Sequence, residues 1–139
     1  MHKFENSLGY MLNIAAALNK NALYSVLAPY EITPEQFTLL TKLDVDGEGK
    51  TQRQLSQESY KDEANIARIL KKLELKEYAK KVSDNKDKRN NLVFITPKGQ
   101  KLIEMLHPLV NDYRKRMFKN LSEQEILTME TILKKIIKN

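Results

Sequence analysis

The chain has 139 residues, 41% hydrophobic and 30% charged, which is one domain's worth of an ordinary globular composition. It has no cysteine, which excludes disulfides, a thiol nucleophile, thiol redox sensing and four-cysteine zinc sites. The net charge of +6 is concentrated: residues 50–101 hold 14 Lys or Arg against 7 Asp or Glu, and the remainder hold 10 against 11.

Helix starts are legible along the whole chain. A first helix is predicted from near the start to about Leu27, on a stripe of Phe4, Leu8, Met11, Ala15, Leu18 and Ala22. Thr33-Pro34-Glu35-Gln36 offers a hydroxyl cap, proline at the first helical position and Gln at the third. The second helix carries Phe37, Leu40 and Leu43 and stops at the Asp46-Gly47-Glu48-Gly49 turn. Thr51-Gln52-Arg53-Gln54 repeats the capping box and starts a third. Asp62 caps a fourth, Glu63 to Lys76, with Ile66, Ile69, Leu70 and Leu73 on one face and Asn65, Arg68, Lys71 and Lys72 on the other. Two strand-like pieces follow, Tyr78 to Val82 and Leu92 to Ile95, joined by the polar segment Ser83 to Asn91. Thr96-Pro97 starts a long fifth helix through Leu102, Ile103, Leu106, Leu109, Val110, Tyr113 and Met117. Ser122-Glu123-Gln124-Glu125 caps a sixth, with Ile126, Met129, Ile132, Leu133 and Ile136.

One helix pinned by its apolar face and presenting Asn and Arg outward, beside a basic hairpin, is what reading DNA in two grooves requires. The expected fold is mainly α with a small β-hairpin wing, a winged helix-turn-helix in the order α1-α2-α3-α4-β-wing-β-α5-α6. All the excess positive charge sits with this unit, as a phosphate-binding surface needs; a solvated lysine-rich face is the bland alternative. The first and last two helices carry more apolar positions than a three-helix core covers. Their natural use is a second subunit that spaces two recognition helices for a palindrome, the alternative being packing within one subunit.

Residue chemistry assigns the contacts. Thr51 and Gln52, with Arg53 beside them, sit at a helix N-terminus suited to a phosphate. Asn65 and Arg68, three apart, point the same way; Asn suits the N6 and N7 edge of adenine and Arg the O6 and N7 edge of guanine. Glu63 suits cytosine N4, or serves as dipole compensation. Lys71 and Lys72 suit backbone phosphate, or pair with Glu74 or solvent. The hairpin tip carries Lys86, Asp87, Lys88 and Arg89.

From Ile32 to Leu106 the chain resembles the multiple-antibiotic-resistance regulator (MarR) family of bacterial transcription factors. The resemblance runs through Ile32-Thr33-Pro34-Glu35-Gln36-Phe37, Thr51-Gln52-Arg53-Gln54-Leu55, Asn65 to Glu74, Asp84 to Arg89, and Ile95-Thr96-Pro97-Lys98-Gly99. It implies one domain over 1–139: a DNA-binding lobe at 32–100, and a helical dimerisation region from 1–30 and 101–139 forming an intertwined homodimer. It implies a repressor of a palindromic operator, released by a small aromatic or anionic ligand. By the same resemblance Arg89 is the wing residue that enters the minor groove, with Asp87 bracing it; a narrow A·T groove concentrates negative potential there. A ligand pocket is expected between the dimerisation helices and the lobe, with Tyr10, Asn13, Ala17, Phe37 and Tyr113 as liners. Three departures stand out. Glu77 replaces a glycine at the end of the recognition helix, which predicts a different or looser helix end, and Glu31 stands where glycine is common in the turn before the second helix. Ala79 and Lys81 replace an aliphatic residue and an Arg, which predicts a short first strand.

Other functions find less support. His2 lies in the N-terminal tail, and His107 has only Glu104 at a ligand-like spacing, too few donors for zinc. No phosphate loop, nucleophile motif or catalytic carboxylate pair is visible, so neither an enzyme nor a cofactor is expected. Glu5 and Asn6 precede any apolar run and no stretch approaches the roughly 20 residues of a membrane span, so a cytoplasmic protein is expected. Winged helices also serve as protein-interaction modules, the alternative that the basic wing and the Asn and Arg face disfavour.

Overall fold

The computed structural model describes residues 7–83 and 91–138. The elements run α1 (Leu8–Leu27), a 3-10 turn (Ala28–Tyr30), α2 (Pro34–Asp46), α3 (Gln52–Ser59), α4 (Glu63–Leu75), β1 (Ala79–Ser83), β2 (Asn91–Ile95), α5 (Pro97–Met117) and α6 (Glu123–Ile137). Full capping boxes close the N-termini of α2, α3 and α6, with Thr33, Thr51 and Ser122 each accepting from the residue three along. This is the predicted order and composition: six helices and one antiparallel hairpin.

The core gathers where the lobe meets α1 and α5. Leu27, Leu40, Leu55, Ile66, Leu70, Leu73, Val93 and Leu106 are fully enclosed, so each of the helices α1 to α5 contributes, together with β2. Lys50 adds a third, one-residue strand by exchanging backbone hydrogen bonds with Val93, at 3.0 and 2.7 Å. That bridge fixes the start of α3 to the hairpin.

Both strand expectations need correction. The first strand is not short: all five residues pair with β2, from Ala79 opposite Ile95 to Ser83 opposite Asn91. It also starts one residue later than predicted. Glu77 takes a left-handed conformation (φ 65°), and Tyr78 N–H donates back to Leu73 O while Glu77 N–H donates to Glu74 O, both at 2.9 Å. These are the two bonds of a glycine-type helix stop, so α4 ends tightly although a Glu stands where glycine is easier. Glu31 adopts the same left-handed backbone (φ 56°) between the 3-10 turn and α2.

The α4 end is tied to both neighbours. Lys76 Nζ donates to Glu31 O and, at 3.3 Å, to Oε1 of the buried Gln36. Thr96 Oγ1 donates to Glu77 O at 2.6 Å, and Lys98 Nζ to Lys76 O at 3.0 Å. Gly99 lies so close to Tyr78 that any Cβ would overlap its carbonyl oxygen. Helix α4 is therefore anchored between the α1–α2 elbow and the start of α5.

Long apolar side chains remain uncovered at the two ends. Leu8, Met11, Ile14 and Leu18 on α1, and Leu127, Ile132, Ile136 and Ile137 on α6, are exposed, and α6 has no buried residue. No helix among the described residues is long and apolar enough to cross a membrane.

Candidate nucleic-acid interface

The fourth helix divides cleanly. Ile66, Ile69, Leu70 and Leu73 face the core, while Glu63, Arg68, Lys71 and Lys72 are exposed and Asn65 is half-buried. Asp62 accepts from Asn65 N–H at 2.7 Å, capping the helix end nearest these groups. On the outer face Arg68 Nη2 donates to Asn65 Oδ1 at 3.1 Å, so the two proposed readers are linked by a hydrogen bond. Glu74 pairs with Lys81 of β1 at 3.5 Å, so its recorded partner is not Lys71 or Lys72.

At the start of α3, Thr51 is committed to its own helix. Its N–H donates to Gln54 Oε1 at 2.8 Å and its Oγ1 accepts from Gln54 N–H at 3.1 Å. Thr51 therefore orients the turn, and the first-turn N–H groups of Gln52 and Arg53 are those the helix ladder leaves over. Lys50 is drawn into a bidentate pair with Glu58, at 2.8 and 2.9 Å, so part of the charge counted in this stretch is internally balanced. The wing tip residues Lys86, Asp87, Lys88 and Arg89 lie outside the described residues.

The described residues also form two concavities, one of them beside α4. A groove of about 1000 Å³ runs between α1 and α5, with Val26, Leu109 and Met117 as apolar wall, Tyr30 and Tyr113 as phenols, and Lys115 and Arg116 at its rim. Tyr113 is buried there; its hydroxyl donates to Asn19 Oδ1, and burial pushes its phenol above its usual value. Of the five liners expected from the sequence, Tyr113 alone belongs to this groove. Tyr10, Asn13 and Ala17 lie on the exposed outer part of α1, and Phe37 packs half-buried against the core. A smaller groove of about 330 Å³ lies between α4 and the start of α2. Lys20 and Lys61 line it together with Asn65, Arg68 and Lys72, and sequence reasoning missed both. Lys61 directly precedes the Asp62 cap, a position that a closer reading of the turn would have found. Nothing local connects Lys20, on α1, to this site.

Comparison with known proteins places the chain. The family profile described as transcriptional regulator SarA/Rot matches residues 22–106, from the end of α1 through the wing into α5. The multiple antibiotic resistance protein MarR of Salmonella typhimurium is 30% identical over 131 residues, covering 94% of this chain and 90% of its own length. The chain belongs to the MarR family of transcriptional regulators.

Solved structures agree. A mutant MarR from E. coli, complexed with operator DNA, is 28% identical over 97% of this chain and 99% of that one, at a TM-score of 0.88. BpsR of Bordetella bronchiseptica, whose DNA binding is regulated by 6-hydroxynicotinic acid, shares the fold at a TM-score of 0.92 and 21% identity, covering 100% of this chain and 99% of that one. In this MarR-family chain α3 and α4 are the helix-turn-helix, and β1 and β2 are the wing.

Proposed function

We propose that this MarR-family regulator binds double-stranded DNA as a homodimer and represses transcription from a palindromic operator. The observation that carries the reading is α4: four enclosed aliphatic residues on one face, and the hydrogen-bonded Asn65 and Arg68 with Lys71 and Lys72 on the other. That helix presents bidentate groups for base edges and flanking cations for phosphate, without an exposed aromatic among them. Gln52 and Arg53 supply backbone contacts from α3, and the wing, through Arg89, reaches the minor groove. Residues 32–100 form the DNA-binding lobe. Residues 1–30 and 101–139 form the dimerisation region, which the bare apolar faces of α1 and α6 support.

A small aromatic or anionic ligand in the α1–α5 groove releases the operator. Its apolar wall, two phenols and two cations, Lys115 and Arg116, set against the single carboxylate of Asp112, suit an aromatic acid. Such a ligand acts only by favouring a dimer whose recognition helices are wrongly spaced for DNA, since equal affinity for both states shifts nothing.

Selection from a random duplex library at about 150 mM salt tests the reading, because that ionic strength suppresses loose phosphate binding. Enrichment of a palindrome with half-sites about one helical turn apart is expected. A folded protein that enriches no sequence overturns it.

A further inference from the structure

The small groove beside α4 has a specific construction. Asn65, Arg68 and Lys72 form one wall and Ile69 the floor; Thr33, Glu35 and Lys20 form the other wall, with Lys61 also lining it. These α4 positions recur along the helix, so the groove follows its axis. Lys61 is fixed at both backbone groups: its N–H donates to Ser56 O at 3.2 Å, and its carbonyl accepts from Ser56 Oγ. Four cations face one carboxylate, and that carboxylate is engaged, with Lys20 Nζ 2.6 Å from Glu35 Oε1. The Lys20 contact, aided at longer range by Lys61, holds the Glu35 carboxyl below its usual range.

The dimensions of a duplex give this groove a role. A helix with side chains is about 10–12 Å across and the B-DNA major groove about 12 Å wide. A helix seated there has a sugar–phosphate strand running along each flank, and the Lys20–Lys61 groove is one flank of α4.

We propose that Lys61 and Lys20 hold a duplex phosphate in this groove, and that Glu35 limits the hold by occupying Lys20. The inference rests on the duplex-binding reading above and adds residues from α1, α2 and the α3–α4 turn to it. Lys61 makes the full contact. Lys20 is half spent on Glu35 and becomes a full contact once that carboxylate is neutral.

The test measures affinity for a random-sequence duplex of about 30 base pairs between about 50 and 200 mM salt, where each lost phosphate contact lowers the slope of log K against log salt by about 0.9. Expected for Lys61→Ala is a slope shallower by about one contact per subunit, and Lys61→Gln should do the same. Glu35→Gln should raise affinity severalfold and steepen the slope, and Lys20→Ala should cost more in that background than alone. Lys119→Ala, exposed in the α5–α6 turn, removes the same charge elsewhere and should leave the slope unchanged. Thermal melting confirms that each variant is folded. A wild-type slope for Lys61→Ala, or weaker binding by Glu35→Gln, overturns the groove assignment while leaving the duplex-binding reading intact. A wild-type chain that binds no duplex overturns both.

Discussion

Arg68 Nη2 donates to Asn65 Oδ1 at 3.1 Å across one turn of the recognition helix. The bond takes one of the two acceptor positions of the Asn65 oxygen and ties the guanidinium to it. Base reading by these two residues is therefore coupled. Arg68→Ala should relax base preference by about 1–3 kcal/mol at one position while keeping most non-specific affinity. Asn65→Ala should lower specificity at its own position and at the one Arg68 reads. In a double-mutant cycle on the selected operator the two losses should fail to add by at least about 0.5 kcal/mol; strict additivity would show that the bond opens on binding.

The left-handed Glu77 ends α4 with the hydrogen bonds a glycine would make, at a backbone conformation that a side chain with a Cβ disfavours. Its ion pair with Lys98, at 3.8 Å and largely in solvent, returns little. Glu77→Gly should raise stability by up to about 1 kcal/mol, a shift of a few degrees in Tm. Glu31→Gly should act alike, because its contact with Lys76 runs through the backbone carbonyl. A fall in Tm for both would mean that the side chains contribute more than their geometry shows.

Gly99 admits the opposite change badly. A Cβ there meets the Tyr78 carbonyl oxygen and Ile95 Cγ1, and neither is the loose end of a flexible chain. Gly99→Ala should cost about 1–3 kcal/mol by pushing α5 off the end of β1. Denaturant midpoints would measure it, and an unchanged midpoint would show that this junction yields freely.

Glu35 gives the chain a dependence on acid. Its folded pKa is lowered, chiefly by the Lys20 hydrogen bond, so its contribution is present above its ordinary value of 4.5 and is lost as pH falls through the lowered pKa. The pair is partly exposed, so the effect stays under about 1 kcal/mol. The Tm difference between wild type and Glu35→Gln should be present above the ordinary carboxylate value and vanish once pH has fallen below the lowered pKa. A difference that persists at the lower pH would assign it to packing.

Helix starts were legible because each is written in three or four adjacent residues: Thr33 with Gln36, Thr51 with Gln54, Ser122 with Glu125. The buried face of α4 was legible for the same reason, since its period is local. The β1 start was misplaced by one residue because Tyr78 spends its N–H on Leu73, a choice dictated by the backbone of Glu77 rather than by any β propensity. The tight stop itself was hidden, because Glu in a left-handed turn leaves no compositional mark. Lys20 could not be assigned to the α4 groove from sequence. Its approach to Glu35 depends on how α1 crosses α2, which no window of adjacent residues encodes. The effector liners on α1 failed to gather for a related reason. Tyr10, Asn13 and Ala17 share a helix with the groove, but the α1 residues that line it are Ala22, Ser25 and Val26, further along the helix.

The absence of any buried residue on α6 has a consequence for how the protein works as a switch. In the proposed homodimer this helix acquires an interior only on association, so its folding and assembly become one equilibrium whose position depends on how much chain is present. On that reading, dilution weakens the terminal helices and the proposed hold on DNA together.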